Sequence, residues 1–511
     1  MTVAPVATTT DVLLKDLLDT TPAFVDTAFL RLADALWQSG EATGEALPAV
    51  PALVAALQEA DEVRKGYLAL LLGLLAETEH VAGGGPVTTS VRAGIEHYLP
   101  LLTGARPGGP LQLAALYLLS HLGEERDVIL AAAAGADLTP DDRTRLERCL
   151  QPLDPENVVL GRVWPSPYEW QLGDEELAFD QGWIASLTEQ QLAATWSSDT
   201  RSVLAYTGAK ALWALRNGAP TVVRDTSVHA DVRPGEPPAP RIEEFSRFAD
   251  VLRCPDCRST LSFEESGATC TGCASAYPLP SGVLDLSVGA GDHDDSDVLQ
   301  NAAGLRGIGF HYENVLRPAF LRVMGQNWGG TITPVDEDAY LTEQLAAVDG
   351  PVLDVAAGAG RWTAVVAEAA GDGGVLALDL IAPMLAGLRA RLPEIATLRA
   401  SALALPVADG SLAGVNCWNA LQALPDPKAA IDEIGRALRP GGRFTLLTFR
   451  WGSDAVYRYF QGSHAFPGSP DGIKLFETEQ IRTWLNEAGL SPVAESGPGT
   501  FVIITAEKRN R

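Results

Sequence analysis

Between Asp11 and about Asn217 the apolar residues return every three or four positions: Val12, Leu13, Leu17 and Leu18, then Phe24, Ala28, Phe29, Leu32 and Leu36. Residues so spaced share one face of a helix. The same spacing over residues 50–57, 63–75, 91–101, 111–122 and 204–215 predicts an all-helical stretch, with no alternating strand pattern to compete. In the last third of the chain the rhythm changes. Short apolar runs such as Val352-Leu353-Asp354-Val355 and Val375-Leu376-Ala377-Leu378-Asp379 stand between helical segments, as buried parallel strands alternating with helices do.

The helical stretch, residues 11–217, reads as one domain. Its helix pairs joined by short Gly/Pro turns resemble an α-solenoid of the HEAT kind, most clearly where Asp61-Glu62-Val63-Arg64 leads into a Leu-rich helix; a non-repeating bundle accounts for the pattern equally well. Residues 218–240 end in Arg233-Pro234-Gly235-Glu236-Pro237-Pro238-Ala239-Pro240 and read as an extended linker, because proline fixes φ and removes a donor. Near the end of the helical stretch Trp164, Tyr168, Trp170, Phe179, Trp183 and Trp196 are interleaved with Glu169, Asp174, Glu175, Glu176 and Asp180. Such a mixture can line a site for a cationic or peptidic ligand. Tryptophans so placed more often close the edge of a helical core, and no role is assigned to them.

A chain of 511 residues exceeds what one core serves, so two or three domains are expected, and 46% hydrophobic content is ample to fill them. The net charge of -27, with a pI near 4.6, sets the average surface against phosphate backbones and disfavours a nucleic-acid partner. No apolar segment is long enough to span a bilayer, and the start, MTVAPVATTTD, lacks a basic region followed by an apolar one. The expectation is a cytoplasmic protein with no membrane partner.

Candidate chemistry begins at residues 352–360. An apolar strand ends in an acid, small residues fill a turn, and a helical pattern starts near Trp362. Without Cβ atoms in the way, such a turn lets backbone approach a nucleotide-like ligand closely. The second strand closes on Asp379, about twenty residues further on, where an acid in such folds accepts hydrogen bonds from ribose hydroxyls.

These residues carry a resemblance. From about 300 to 511 the chain resembles the class I S-adenosylmethionine-dependent methyltransferases, closest to the ubiquinone/menaquinone-biosynthesis type, through VLDVAAGAG (352–360), LALDLIAPML (376–385), ALALPVADGSL (402–412), NALQALPDP (419–427) and LRPGGRFTLLTF (438–449), in the expected order and spacing. The resemblance implies a carboxyl-terminal α/β Rossmann-like domain, residues 298–511, with a mostly parallel seven-stranded sheet, S-adenosyl-L-methionine as cofactor and a lid over residues 308–345. It places Asp354, Ala356, Gly358 and Gly360 around the methionine part of the cofactor, with alanine at 356 where many relatives carry glycine. Asp379 matches the ribose acid, Leu380 and Met384 the adenine or ribose neighbours, and Ser401-Ala402 the adenine contact, with serine where relatives often have aspartate. Asn419 matches the position beneath the cofactor beside the sulfonium, and Ala423 stands where relatives often have histidine. In the resembled family the segment opened by Phe310-His311-Tyr312-Glu313 packs over the cofactor, so His311, Tyr312 and Glu313 are candidates for substrate contact. For a general base, if one is needed, the candidates are His464, then His311 or Tyr457.

Cys254-Pro255-Asp256-Cys257 and Cys270-Thr271-Gly272-Cys273 are two Cys-x-x-Cys knuckles twelve residues apart. Four thiolates so paired make the closed tetrahedral shell of structural zinc, and with no open ligand position that zinc folds the module and takes no part in chemistry. Residues 241–288 resemble the small zinc-ribbon activator modules of methyltransferases. Cys149 and Cys417 lie in apolar runs and read as core.

Three functions stay open. The first is methyl transfer to a specialised metabolite or ribosomally made peptide, with the helical domain recruiting substrate or forming a homodimer. The second is an RNA or translation-factor methyltransferase, which a basic patch around Arg241, Arg247, Arg253 and Arg258 would favour. The third is a non-catalytic binding protein, suggested by Ser401 and Ala423.

Overall fold

The computed structural model describes residues 9–79, 84–160, 172–222, 241–287, 301–302, 304–305, 307–371, 374–465 and 473–510; Trp164, Tyr168, Trp170 and most of the expected linker lie outside them. The described residues divide into two compact units, the first made of 9–160, 187–222 and 452–465, the second of 172–186, 241–451 and 473–510. Two stretches thus cross the boundaries that chain order suggests. Residues 172–186 leave the helical stretch for the second unit, and residues 452–465 leave the carboxyl-terminal region for the first.

The first unit contains α1 (Thr9–Asp19), α2 (Val25–Leu36), α3 (Ala46–Glu59), α4 (Glu62–Glu77), α5 (Pro86–Arg92), α6 (Ile95–Gly104), α7 (Pro110–Leu119), α8 (Arg126–Gly135) and α9 (Pro140–Cys149). After α10 (Asp174–Ser186), which belongs to the second unit, α11 (Glu189–Asn217) returns to the first. Residues 66–77 of α4 and 111–119 of α7 are all buried, as befits helices apolar around their whole circumference. Side-chain caps set several helix starts: Asp61 on the Arg64 amide, Thr139 on the Asp142 amide, and Thr188 with Gln191 in a reciprocal box. Contrary to the purely helical expectation, Trp37–Gln38 and Glu41–Ala42 pair as a small antiparallel hairpin.

The insertion helix Ala455–Gly462 completes this core. Phe460 packs edge-on against Tyr117 with ring centres 5.5 Å apart, and Tyr459 packs edge-on against Trp37 at 5.0 Å. A Cβ on Gly208 would fall 2.4 Å from the Phe460 ring, so α11 approaches the insertion closely only because glycine stands there. The Tyr459 hydroxyl donates to the buried Glu77 carboxylate at 2.9 Å, as does the Tyr117 hydroxyl, and Arg216 pairs with Asp454 at 2.8 Å.

The second unit holds a three-stranded antiparallel ribbon (Leu261–Glu264, Gly267–Cys270, Ala276–Pro278) and one large sheet. The sheet strands are β1 (Val283–Asp285), β2 (Val352–Val355), β3 (Val375–Asp379), β4 (Ala396–Arg399), β5 (Leu412–Trp418), β6 (Leu438–Phe449), β7 (Leu490–Ser496) and β8 (Phe501–Lys508), in the spatial order β7-β8-β6-β5-β2-β3-β4-β1. The pairs β6–β8 and β8–β7 are antiparallel, and the others are parallel. Among the described residues the expected seven strands are corrected to eight: β1, which leaves the ribbon, adds itself in parallel to the edge of β4. The unit also holds the helices α12 (Pro334–Leu345), α13 (Arg361–Ala370), α14 (Ala382–Arg391), α15 (Pro427–Ala437) and α16 (Thr478–Glu487).

Strand order reverses at β2, whose neighbours are β3 on one side and β5 on the other. In open α/β sheets the crevice beyond the carboxyl ends of the strands at this reversal is where ligands bind. Among the described residues no helix is long and apolar enough to cross a membrane.

Candidate functional site

The turn leaving β2 takes three left-handed residues: Ala356 (φ +56°), Gly358 (φ +57°) and Gly360 (φ +85°). The two glycines are needed for different reasons. A Cβ on Gly360 would meet Leu388 of α14 at 3.0 Å, so this glycine lets the turn pack on a helix; a Cβ on Gly358 would meet nothing within 4 Å and would project into open space. That space is a cradle along bare backbone.

Asp379 closes β3 beside it. One carboxylate oxygen accepts from the Gly358 amide at 2.8 Å, the other from the Leu380 and Ile381 amides at 2.7 and 2.9 Å. Burial pushes its pKa up, while the three amides pull it back. Leu380 is half-buried, and Met384 on α14 is buried beneath. Ala400 donates its amide to the Asp379 carbonyl at 3.1 Å, bringing Ser401 and buried Ala402 to this side; the Ser401 hydroxyl accepts from the Leu403 amide at 3.2 Å.

Asp354 does something else. It is 2% exposed, and its oxygens accept from Thr363 of α13 at 2.6 Å and Asn416 of β5 at 2.8 Å, so it ties two strands and a helix together beneath the turn. Burial raises its pKa to about 6 against those two hydrogen bonds, and the nearby Asp379 adds to the rise.

Across the switch point Asn419 follows β5 with φ +60°, tolerable for asparagine. Its amide nitrogen donates to the Tyr312 hydroxyl at 2.7 Å, while its buried Oδ1 has no partner among the described residues. Gln422 supports it from behind, donating to the Asn419 carbonyl at 2.8 Å and accepting from Thr448 at 2.9 Å.

Tyr312 belongs to the expected lid. Ile308–His311 is helical, Tyr312–Leu316 widens into a π turn, and Arg317–Gly325 resumes the α-helix. Pro318 has no amide to give the preceding turn, which accounts for the widening. The segment is pressed onto the cradle: a Cβ on Gly309 would fall 2.5 Å from that of Ala359, and Glu313 pairs with both terminal nitrogens of Arg391 at 2.7 and 2.8 Å. Burial raises the Tyr312 pKa, so its phenol stays protonated at neutral pH. Arg317, 3% exposed, forks onto Glu337 at 3.1 and 2.6 Å, and Trp418 donates to the same carboxylate at 2.6 Å. The pairs Glu313–Arg391 and Arg317–Glu337 and the ties on Asp354 were missed by sequence reasoning, because their partners lie far apart at no characteristic spacing.

Of the three candidate bases, His311 alone lies on the lid, half-buried with its ring edge-on to Phe310 at 5.6 Å. Tyr457 and His464 are core residues of the first unit, each 1% exposed. His464 Nδ1 lies 3.0 Å from the Ala465 carbonyl, and burial drives its imidazole down to about 4; burial likewise drives the Tyr457 phenol far up. These are the properties of packing residues, because a general base at neutral pH needs access and a pKa near 7. Trp196 is also structural, stacked under Arg148 at 3.5 Å.

In the ribbon the sulfurs of Cys254, Cys257, Cys270 and Cys273 all lie within 4.8 Å of one another, with Cys254–Cys273 at 3.6 Å and Cys257–Cys270 at 3.3 Å. A tetrahedral zinc with bonds of about 2.3 Å requires sulfur separations of about 3.8 Å, which this set meets with little movement. Arg258 and Ala274, each following the second cysteine of a knuckle, are both at φ +62°, and the Gly272 and Cys273 amides point at Cys270 Sγ at 3.3 and 3.4 Å. Cys149 and Cys417 are buried, and burial raises both thiols to about 12.

Comparison with known proteins places this geometry. A family profile described as a methyltransferase domain matches residues 352–442. An uncharacterised chloroplastic methyltransferase of Arabidopsis thaliana is 27% identical over 341 residues, covering 61% of this chain and 92% of that protein. The demethylmenaquinone methyltransferase of Thermus thermophilus is 32% identical over 162 residues, covering 27% of this chain and 74% of that protein. Among solved structures, the geranyl diphosphate C-methyltransferase of Streptomyces coelicolor, in complex with S-adenosyl-L-homocysteine, aligns over 34% of this chain and 76% of its own at 16% identity and a TM-score of 0.30. With the strand order, the turn after β2 and these relatives in sequence, the chain belongs to the class I S-adenosylmethionine-dependent methyltransferases.

Proposed function

We propose that the enzyme methylates a specialised metabolite or a ribosomally made peptide, with the 356–360 turn, Asp379 and Asn419 holding S-adenosylmethionine under the 307–316 lid. The observation that carries this reading is the cradle: open space over Gly358, a carboxylate on one side, and on the other a buried, unsatisfied acceptor, Asn419 Oδ1, beside the Tyr312 hydroxyl. The residues fit the cofactor. Asp379 keeps acceptor capacity for a ribose diol, and an amide oxygen stabilises a neighbouring sulfonium. When bound, S-adenosylmethionine supplies an electrophilic methyl on a good leaving group. Alignment and exclusion of water are then what the chain must provide. The lid provides both by pressing Gly309 onto Ala359, and Tyr312, hydrogen-bonded to Asn419, offers a protonated hydroxyl to orient the acceptor. If the acceptor atom is protonated at working pH, His311 is the base to test.

The four cysteines are assigned to structural zinc on their mutual distances. The helical unit, HEAT-like or bundled, is assigned to substrate recruitment or dimerisation. A small-molecule acceptor is in keeping with relatives named for demethylmenaquinone. The RNA reading depends on free arginines in the ribbon. Arg241 is paired with Glu244 at 3.0 Å, Arg258 with Glu433 at 3.1 Å, Arg253 with the carbonyls of Ala249 and Leu252, and Arg247 lies over the Phe248 ring. Two of the four are thus paired with acids, which weakens a basic patch there and supports the metabolite or peptide reading. The test is transfer of labelled methyl groups into fractionated extract: label in small molecules or peptides is expected, and label confined to RNA, or to no fraction, contradicts the proposal.

A further inference from the structure

We propose that α10 is the latch of the lid, and that Glu176 and Asp180 are positioning residues for cofactor binding. In sequence α10 lies between α9 and α11, yet it packs in the second unit against the residues that lead into the lid. Glu176 Oε1 accepts from the Gly307 amide at 2.9 Å, at the start of the lid helix, where Gly307 has no side chain with which to cap the helix itself. Asp180, 3% exposed, accepts from the Asn301 side-chain amide at 3.1 Å. Between them the Gly304 backbone rests on Phe179, whose ring a Cβ there would approach to 2.9 Å.

The physical need for a latch follows from the composition of the segment. Gly304, Gly307 and Gly309 are each costly to order, and Gly309 must remain glycine to lie against Ala359. Ordering therefore comes from outside the segment. Its carboxyl side is held by the cradle through Tyr312–Asn419 and Glu313–Arg391, and its amino side by α10. A cofactor beneath Gly309 enters and leaves only when the cradle contacts break. The two α10 carboxylates then hold the lid's amino end in register, so that it closes again in one place.

This inference rests on the cofactor assignment above, and the test separates the two. In the full-length protein, S-adenosylhomocysteine dissociation and amide hydrogen exchange are measured for wild type, Glu176→Ala, Asp180→Ala and Glu176→Gln. Loss of a helix cap or a buried side-chain hydrogen bond corresponds to a factor of about 5–30. Both alanine variants should release the ligand faster by that factor and exchange residues 307–316 faster by a similar one, while residues 254–273 of the ribbon exchange as before. Glu176→Gln, which keeps an acceptor oxygen, should stay near wild type. Unchanged lid exchange overturns the latch. So does faster lid exchange with unchanged dissociation, or equal acceleration in the ribbon, which marks general destabilisation. A wild-type protein that takes up no S-adenosylhomocysteine removes the cofactor assignment first, and the latch with it.

Discussion

Ala356 sits in the left-handed region immediately after β2, at a cost of about 1–2 kcal/mol for an L-residue with a Cβ. Glycine would lift that strain while adding about 0.5–1 kcal/mol of chain entropy. Ala356→Gly should therefore raise stability modestly, by about 0.5–1 kcal/mol, in denaturant titration. Gly360→Ala should lower it by about 1–3 kcal/mol, because strain there is joined by a clash with Leu388. His464 gives a pH signature. Its folded pKa of about 4 lies below the ordinary 6.5, so the unfolded chain takes up a proton first as pH falls. Stability should therefore drop by up to about 3 kcal/mol from pH 6.5 to 4, and His464→Gln should flatten that part of the curve. That the glycines, Asp379 and Asn419 stand at the ends of β2, β3 and β5 was legible in sequence, because a strand, a turn and a helix fix where they lie. His464 and Tyr457 were not, since a lone histidine or tyrosine in an insertion carries no spacing that tells a base from a core residue.

At the scale of elements, the ribbon is continuous with the sheet. β1 pairs with β4, and Arg399 of β4 reaches Asp285 at 3.2 Å and the Leu380 carbonyl at 3.1 Å. Metal removal should thus be felt beyond the ribbon. Chelation, or Cys254→Ser, should lower the unfolding temperature of the second unit and quicken amide exchange in β4, with one zinc per chain found by mass spectrometry beforehand. An undisturbed β4 would contradict the continuity. The cysteine knuckles were legible because paired sulfurs need that spacing. The eighth strand was not: Val283-Leu284-Asp285 is a short apolar run, and nothing local says that its partner is residues 397–399. The π turn was hidden for a related reason, since Pro318 marks a break without saying whether the helix ends or widens.

At the scale of the molecule, each compact unit contains a segment that chain order assigns to the other. Helical periodicity reports that a residue faces a core and does not say which core, so neither exchange was legible. The first unit should consequently be incomplete without the insertion helix. A polypeptide of residues 1–222 lacks Phe460 beside Gly208 and the Tyr459 hydroxyl on Glu77. It should bind hydrophobic dyes and unfold without cooperativity, and added peptide 452–465 should restore a cooperative transition. In the full chain Tyr459→Phe should cost about 1–3 kcal/mol, because it leaves part of a buried carboxylate unsatisfied. The central claim, that one cofactor lies between the turn after β2 and the acid closing β3, is tested most directly by calorimetric titration of S-adenosylhomocysteine into wild type and Asp379→Ala. The account predicts one site per chain in the wild type and affinity at least about tenfold weaker in the variant, the loss of roughly one charge-assisted hydrogen bond. No binding by the wild type, or equal binding by both, would contradict it.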